Sequence, residues 1–451
     1  MGEDTIGQTE FFFHLGTSLE RLEKTVAELE AAEYVWIDAG WRSYAKRFGE
    51  RFLELPLNIY DLDLFAWRRL GGKLSCSYAE LASELAVYVK QMGYTHISLK
   101  DVDRRSEMTF GELKAFVDQM HEAGIGVILC CGFENIENQT LNVSAIASAV
   151  ARFLDAVHAD GIKVCVSSFD GNAELVGDFF DMLNKSLKEL CPSVILIAEK
   201  SHRGVCVPST AQGFDFVCDM SRTNRVLEYV SEDPIFRKHH HEKLITCVAS
   251  EFGEREILTV SEGEGGMLLE ASAGDRWQKF ATLRALHAYR MTLPCKKTTF
   301  MGAEMASRGL DWGTLNDDLY AKFQLYISEL NSLYLENAPL WQSDFSAGGF
   351  EWIDANDKER SVLSYRRKDK AGRELIVVVN FTPVVREGYE LRVARRGEYE
   401  EIFNSDSEVY GGSGVINKNA LFTAEDADNG KPYSIALRVP PLGVTILKYK
   451  S

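Results

Sequence analysis

The sequence holds only ten prolines in 451 residues, and none of its apolar runs approaches the roughly 20 residues that cross a bilayer. The first scarcity excludes a Pro-rich disordered chain. The second excludes a membrane-spanning helix, because the longest apolar stretches are short ones such as Gly124–Cys131 and Leu375–Val379. Cations are also in deficit: 50 Lys and Arg against 67 Asp and Glu leave a net charge of −17, which repels nucleic acid and anionic membranes and removes both from the expected partners. The nine cysteines, an odd count in a long chain, argue for reduced thiols over a disulfide framework. The first residues carry neither the basic stretch nor the apolar core of a secretion signal, and Ile6 stands where N-myristoylation needs Ser or Thr, so the expected location is the cytoplasm.

What is present is enough apolar material, 45% of residues, for one large barrel and a smaller module. In residues 18–32, Leu19, Leu22, Val26 and Leu29 recur at helical spacing among charges, which predicts an amphipathic surface helix. From residue 58, eight short β-rich runs (NIYDLDLF, THISLK, GIGVILCC, GIKVCVSS, SVILIAE, GFDFVC, EILTVS and KKTTFMG) alternate with helical runs such as Tyr78–Met92, Phe110–Glu122 and Val143–Ala159. Eight βα units predict an α/β protein with a (β/α)8 barrel, an open doubly wound sheet being the alternative. After Gly348 the period changes to two, through GFEWIDA, SVLSYRR, ELIVVVNF, GYELRVA, GEYEEIFN, YSIALRV and GVTILKY, which predicts an all-β C-terminal sandwich. The expected organisation is a partly helical segment at 1–55 that docks or caps, a trimmed barrel at 56–345 and the sandwich at 346–451.

These runs resemble the 1,4-α-glucan (glycogen) branching enzymes of the α-amylase clan. The stretches that carry the resemblance include PLNIYDLDLFAWRR, FVDQMHEAGIGVIL, HADGIKV, ILIAE, AGDRWQKFATLRALHAY, FMGAE and most of GFEWIDA through PYSIALRVPPLG, in the family's order. Residues 1–55 show no clear match to it. The resemblance implies a barrel followed by a sandwich and action on α-glucan. Retaining transfer needs two carboxylates about 5–5.5 Å apart at the C-terminal ends of the barrel strands. Glu199 falls on the family's proton donor, whereas Cys165 in Lys163-Val164-Cys165 stands at the nucleophile and Gly263 at the third carboxylate. Lys163 and Trp312 are the candidate substrate-binding residues. The third strand ends Cys130-Cys131-Gly132 without the family's Asp, and the insertions after ISLKDVDRRSEM and FENIENQT, the second of them domain B, are missing.

The expected function is therefore that of a catalytically inactive homologue in glycogen metabolism, binding a glucan such as glycogen or amylose, or a protein partner, with no metal and no cofactor. One alternative is an active branching enzyme or α-glucan hydrolase that pairs Glu199 with a relocated carboxylate, Glu262, Glu264 or Asp170. Another is an interaction subunit of an active branching enzyme. Cys130, Cys131, Cys165 and Cys218, near strand ends with Glu199 and His202, suit a refilled apolar pocket better than a soft metal site. His239-His240-His241 is expected on a solvated face inside one helical run. Trp36, Trp41 and Trp67 are expected in the core, and Asp61, Asp63 and Asp170 on solvated loops.

Overall fold

The computed structural model describes residues 13–14, 19–49, 51–64, 66–67, 69–70, 73–74, 77–100, 108–132, 142–165, 173–200, 210–219, 228–246, 255–260, 263–425 and 433–450. Its strands are β1 (Phe13–His14), β2 (Asn58–Asp63), β3 (Arg69–Leu70), β4 (Lys73–Leu74), β5 (His96–Lys100), β6 (Gly126–Gly132), β7 (Gly161–Cys165), β8 (Ile195–Lys200), β9 (Phe216–Asp219), β10 (Glu256–Val260) and β11 (Lys296–Phe300). All but β3 and β4 share one sheet in the order β1-β6-β5-β2-β11-β10-β9-β8-β7, and a further β6–β7 pairing closes eight of them into a parallel barrel. Closure excludes the doubly wound alternative. Every residue of β6 and β11 is buried, which is why barrel strands read in the sequence as unbroken apolar or small-residue runs.

The chain divides into two compact units, one of Met1–Glu50, Asp61–Val87 and His96–Val217, the other of Arg51–Tyr60, Tyr88–Thr95 and Cys218–Ser451. In the first, helix α1 (Leu19–Ala31) buries Leu22, Val26 and Leu29, the stripe expected from its spacing. Helix α2 (Ala39–Phe48) follows, then α3 (Tyr78–Gln91), which the division cuts, and α4 (Phe110–Glu122). Thr109 starts α4 through a capping box: its Oγ1 accepts from the Glu112 N–H at 3.2 Å while the Glu112 carboxylate accepts from the Thr109 N–H at 2.7 Å. Helix α5 (Val143–Ala156) stops three residues short of the run expected to continue to Ala159. His158 there takes a left-handed φ of 54°, held by its Nδ1 contact to Asp38 Oδ2 at 2.8 Å. Helix α6 (Ala173–Leu190) completes the unit.

Residues 19–49 form an arm tied to the rest of this unit by polar contacts. Asp38 Oδ2 also meets His121 Nδ1 at 2.8 Å, and His121 Nε2 meets Asp160 Oδ2 at 3.0 Å. Burial lowers the His121 pKa, but the two carboxylates outweigh it and the net shift is upward. Trp41 donates to Asp160 at 2.8 Å and stacks on His121, while Trp36 stacks on His158 at 3.6 Å between ring centroids. Both indoles, half-buried against imidazoles, therefore dock the arm; only Trp67 is a fully buried core tryptophan as expected.

In the second unit, α7 (His241–Thr246), α8 (Glu264–Ala271), α9 (Arg276–Thr292) and α10 (Asp318–Glu336) precede an antiparallel domain. Strands β12 (Phe350–Asp354), β13 (Val362–Lys368), β14 (Glu374–Asn380), β20 (Gly443–Lys450), β16 (Glu398–Asn404) and β17 (Leu421–Phe422) form one sheet in that order. A second sheet runs β15 (Arg386–Val393), β19 (Tyr433–Val439), β18 (Ala424–Glu425). Alternate residues of both sheets, among them Val362, Ile376, Val378, Leu391, Val393, Ile435 and Leu437, share one buried cluster, as two facing sheets require. Buried Asp344 ties β11 to β13, holding Lys296 Nζ at 3.1 Å and Arg367 Nη2 at 2.6 Å.

Past β11 the backbone turns at Gly302, with φ 92°, where an added Cβ would lie 2.5 Å from the backbone of Gly309. Gly302→Ala is expected to destabilise the protein by about 2–4 kcal/mol, because both the φ and the backbone contact oppose a side chain. Gly40→Ala in α2, where nothing lies within 4 Å, should instead be neutral or stabilising by up to about 1 kcal/mol. Urea unfolding of the two variants checks the contrast.

Candidate functional site

In a parallel barrel the C-terminal strand ends converge, so side chains near those ends meet whatever the helices outside do. In the first unit this brings together Asp61 of β2, Lys100 of β5, Lys163 of β7 and Glu199 of β8. Lys163 Nζ lies 2.8 Å from Asp61 Oδ2 and 2.7 Å from Glu199 Oε2, and Lys100 Nζ lies 3.5 Å from the same Asp61 oxygen. The Lys163 and Asp61 side chains are each 4% exposed and that of Glu199 15%, so the ion pairs are shielded from water.

The electrostatics follow from this geometry. Burial raises the pKa of Glu199, but the Lys163 and Lys100 ammonium groups outweigh it and hold the carboxyl below its usual range. Asp61 is governed in the same way and also sits below its usual range. The Lys100 pKa, pushed down by burial, is pushed further up by Asp61 and Glu199. At neutral pH the group at the expected proton-donor position is therefore an ionised carboxylate, without a proton to give.

Cys165 pairs in register with Glu199 across β7 and β8 and with Gly132 across β6 and β7. Cys130 accepts or donates a hydrogen bond with Ser98 Oγ at 3.1 Å, and burial pushes its thiol up to about 12, so it stays protonated. Cys130, Cys131 and Cys218 are buried. Among the described residues no group of three or more His, Cys, Asp or Glu is placed to share a metal ion.

The remaining candidates lie in the second unit. Gly263 is the N-cap of α8 with φ 72°, and Glu264 beside it is fully buried and paired with Arg290 at 2.5 Å. Trp312 opens a short 3-10 helix and meets Tyr88 edge to face at 5.4 Å. Tyr88 in turn donates to Glu304 Oε1 at 2.8 Å, as Tyr60 does at 2.7 Å, and burial raises the Glu304 pKa. Glu262, Asp170 and His202 lie outside the described residues, as do the junctions expected to have lost their insertions.

Two expectations need correction. Asp61 is a buried ion-pair member and not a solvated loop acid, because its strand end faces the barrel interior. The three histidines are split between a 3-10 turn (Arg237–His240) and α7, and His241 is buried against the Ala355 carbonyl at 3.0 Å, so they do not share a solvated helical face. Asp63 caps a turn by accepting from the Ala66 N–H at 3.2 Å.

Residues 352–450 match the family model of the alpha-amylase C-terminal all-beta domain. A 1,4-alpha-glucan branching enzyme of Halothermothrix orenii is 34% identical, over 87% of this chain and 76% of its own length. The chain belongs to the 1,4-α-glucan branching enzyme family. The branching enzyme of Methylobacillus flagellatus is 32% identical over 96% of this chain and 72% of its own, which extends the similarity into residues 1–55, where the sequence alone showed no clear match. Solved structures agree on the fold: an alpha-amylase of Geobacillus thermoleovorans superposes with TM-score 0.60 at 12% identity, covering 88% of this chain and 99% of its own. A Group B Streptococcus pullulanase, solved with maltotetraose, gives 0.64 at 12% identity over 88% of this chain and 71% of its own. Among the described residues no helix is long and apolar enough to cross a membrane.

Sequence reasoning missed Asp61 and Lys100 as partners of Lys163. The available signal was a charged residue inside an otherwise apolar barrel strand, which must be paired to be buried. Replacing Lys163 by Met leaves two buried carboxylates without their shared cation, and is expected to destabilise the protein at pH 7 by about 3–5 kcal/mol. Because the folded pKa values of Asp61 and Glu199 are depressed, their contribution is complete above the ordinary carboxylate range and is lost as pH falls through the folded values. Denaturation midpoints at pH 7 and pH 3 should therefore converge between wild type and Lys163→Met on the acid side.

Proposed function

We propose that this branching-enzyme-family chain binds α-glucan and has lost glycosyl transfer. The observation that carries the reading is the Lys163–Glu199 pair: a general acid must hold a proton at working pH, and this carboxyl is kept ionised by a cation 2.7 Å away. Glu199 alone would in any case supply only about 10²–10⁴-fold, far less than glycosidic cleavage requires. Cys165 at the nucleophile position and Gly263 at the third-acid position offer no carboxylate. Glu264, the described relocation candidate, is sealed against Arg290. A trimmed barrel at 56–345 without domain B, followed by a sandwich at 346–451, fits the alignment with the Halothermothrix enzyme, which runs over 481 residues yet takes in 87% of this 451-residue chain. A cytoplasmic setting suits the odd count of nine cysteines.

A second reading, a subunit that captures a protein of glycogen metabolism, is favoured by exposed Ile235 and Phe236, 68% and 55% accessible on one turn of the second unit. Incubation with amylose tests the principal reading. We expect no new α-1,6 branch points or reducing ends above the Glu199→Gln control, together with retarded migration of the folded protein in glycogen-containing native gels. Activity that the control loses would overturn the loss of chemistry; unretarded migration beside co-purification of an active branching enzyme would favour the second reading.

A further inference from the structure

Strand β11 opens with two lysines, Lys296 and Lys297, although every residue of the strand is buried. A buried ammonium group needs acceptors around it. Lys296 Nζ is held by the carbonyls of Leu55 and Trp341, each at 2.8 Å, and by Asp344. Lys297 Nζ is held differently: it donates to the Leu293 carbonyl at 2.8 Å, to the Cys295 carbonyl at 2.7 Å and to Cys295 Sγ at 3.3 Å. The thiol in turn donates to the same Leu293 carbonyl at 3.8 Å. The turn between α9 and β11 thus brings an amine and a thiol into contact inside the second unit.

Both groups are shut away from water, Cys295 at 5% exposure and Lys297 at 3%. Burial pushes the Lys297 amine down; Cys295 and Asp344 push it up, Arg367 pushes it down again, and the net shift is downward. The shift favours the neutral amine, which carries the lone pair that an ammonium group lacks. Of the three acceptors around Nζ, only sulfur is readily oxidised. Dioxygen, small and apolar, enters an interior that excludes ionic oxidants.

We infer that Cys295 and Lys297 form a reversible redox modification site, in which dioxygen joins Sγ to Nζ through a single bridging oxygen atom. The S–H bond of Cys295 and one N–H bond of the neutral Lys297 amine break, and an S–O and an N–O bond form to one oxygen atom. The second oxygen leaves as water with the two displaced hydrogens. Sulfur and nitrogen give up two electrons each, the four that reduce dioxygen. Two molecules of dithiothreitol, each supplying two electrons and two protons, restore thiol and amine and release the bridging oxygen as water. A separation of 3.3 Å is spanned by one inserted atom with little movement of either side chain. The bridged nitrogen keeps one N–H and no longer serves both the Leu293 and Cys295 carbonyls, so oxidation is felt at the end of α9 and the start of β11.

The test holds the full chain in air-equilibrated buffer, with an argon-purged sample as reference, and follows digestion by fragmentation mass spectrometry. In air, the peptide holding Cys295 and Lys297 is expected to gain about 14 Da, one oxygen for two hydrogens, and to return to its original mass with dithiothreitol. Trypsin should fail to cut after Lys297, and fragments broken between Cys295 and Lys297 should stay joined. Cys295→Ser, whose hydroxyl still accepts from Lys297, should lose the gain and regain the tryptic cut, and Lys297→Arg should lose the gain as well. Gains of about 16, 32 or 48 Da lodged on Cys295 alone, the successive acids of thiol oxidation, overturn the inference. So does a bridge to Lys296, or wild-type protein in which no bridge forms. None of these outcomes depends on whether the barrel binds glucan.

Discussion

The ammonium group of Lys163 is the constraint around which the barrel mouth is arranged. It lies between two carboxylates that would each be costly to bury alone. With Lys100 added, two cations meet two anions and the cluster closes on itself. Such an arrangement favours a single protonation state over a wide pH range, which suits a rigid framework.

Much of the fold could be read from the sequence because a closed parallel sheet buries both strand faces. NIYDLDLF, GIGVILCC and SVILIAE each stand out as compact runs, and strands β2, β6 and β8 fall within or against them. The sandwich was legible for the opposite reason, since YSIALRV alternates and β19 buries every second residue toward the facing sheet from Ile435 onward. What escaped depended on partners far along the chain. Asp61 lies 102 residues from Lys163, so nothing local marks it as buried. Helix α5 ends early because a carboxylate 120 residues upstream holds His158 in a left-handed conformation. Strand β1, two residues long, has no period of its own and exists only where β6 offers an edge.

The candidate site was legible as identities more than as an environment. Glu199, Cys165 and Gly263 were found at strand or helix ends through family resemblance, yet the charge state of Glu199 is set by neighbours on three other strands. Glu304, seen in the sequence only as the last letter of FMGAE, proves to be a fully buried carboxyl that accepts from two tyrosines. Residue type fixes what a group can do, and its burial and partners decide whether it does.

The arm also has a consequence for the order in which the molecule is made. Its anchors are distant: Glu23 meets Arg152 across 129 residues, Trp41 meets Asp160 across 119, and Asp38 meets His158 across 120. At about 5–20 residues per second, the arm waits roughly 6–24 s after its own synthesis for its docking surface to be made. During that interval Leu22, Val26 and Leu29 have no surface to cover, so α1 finds its place only after the partners that follow it by more than a hundred residues exist.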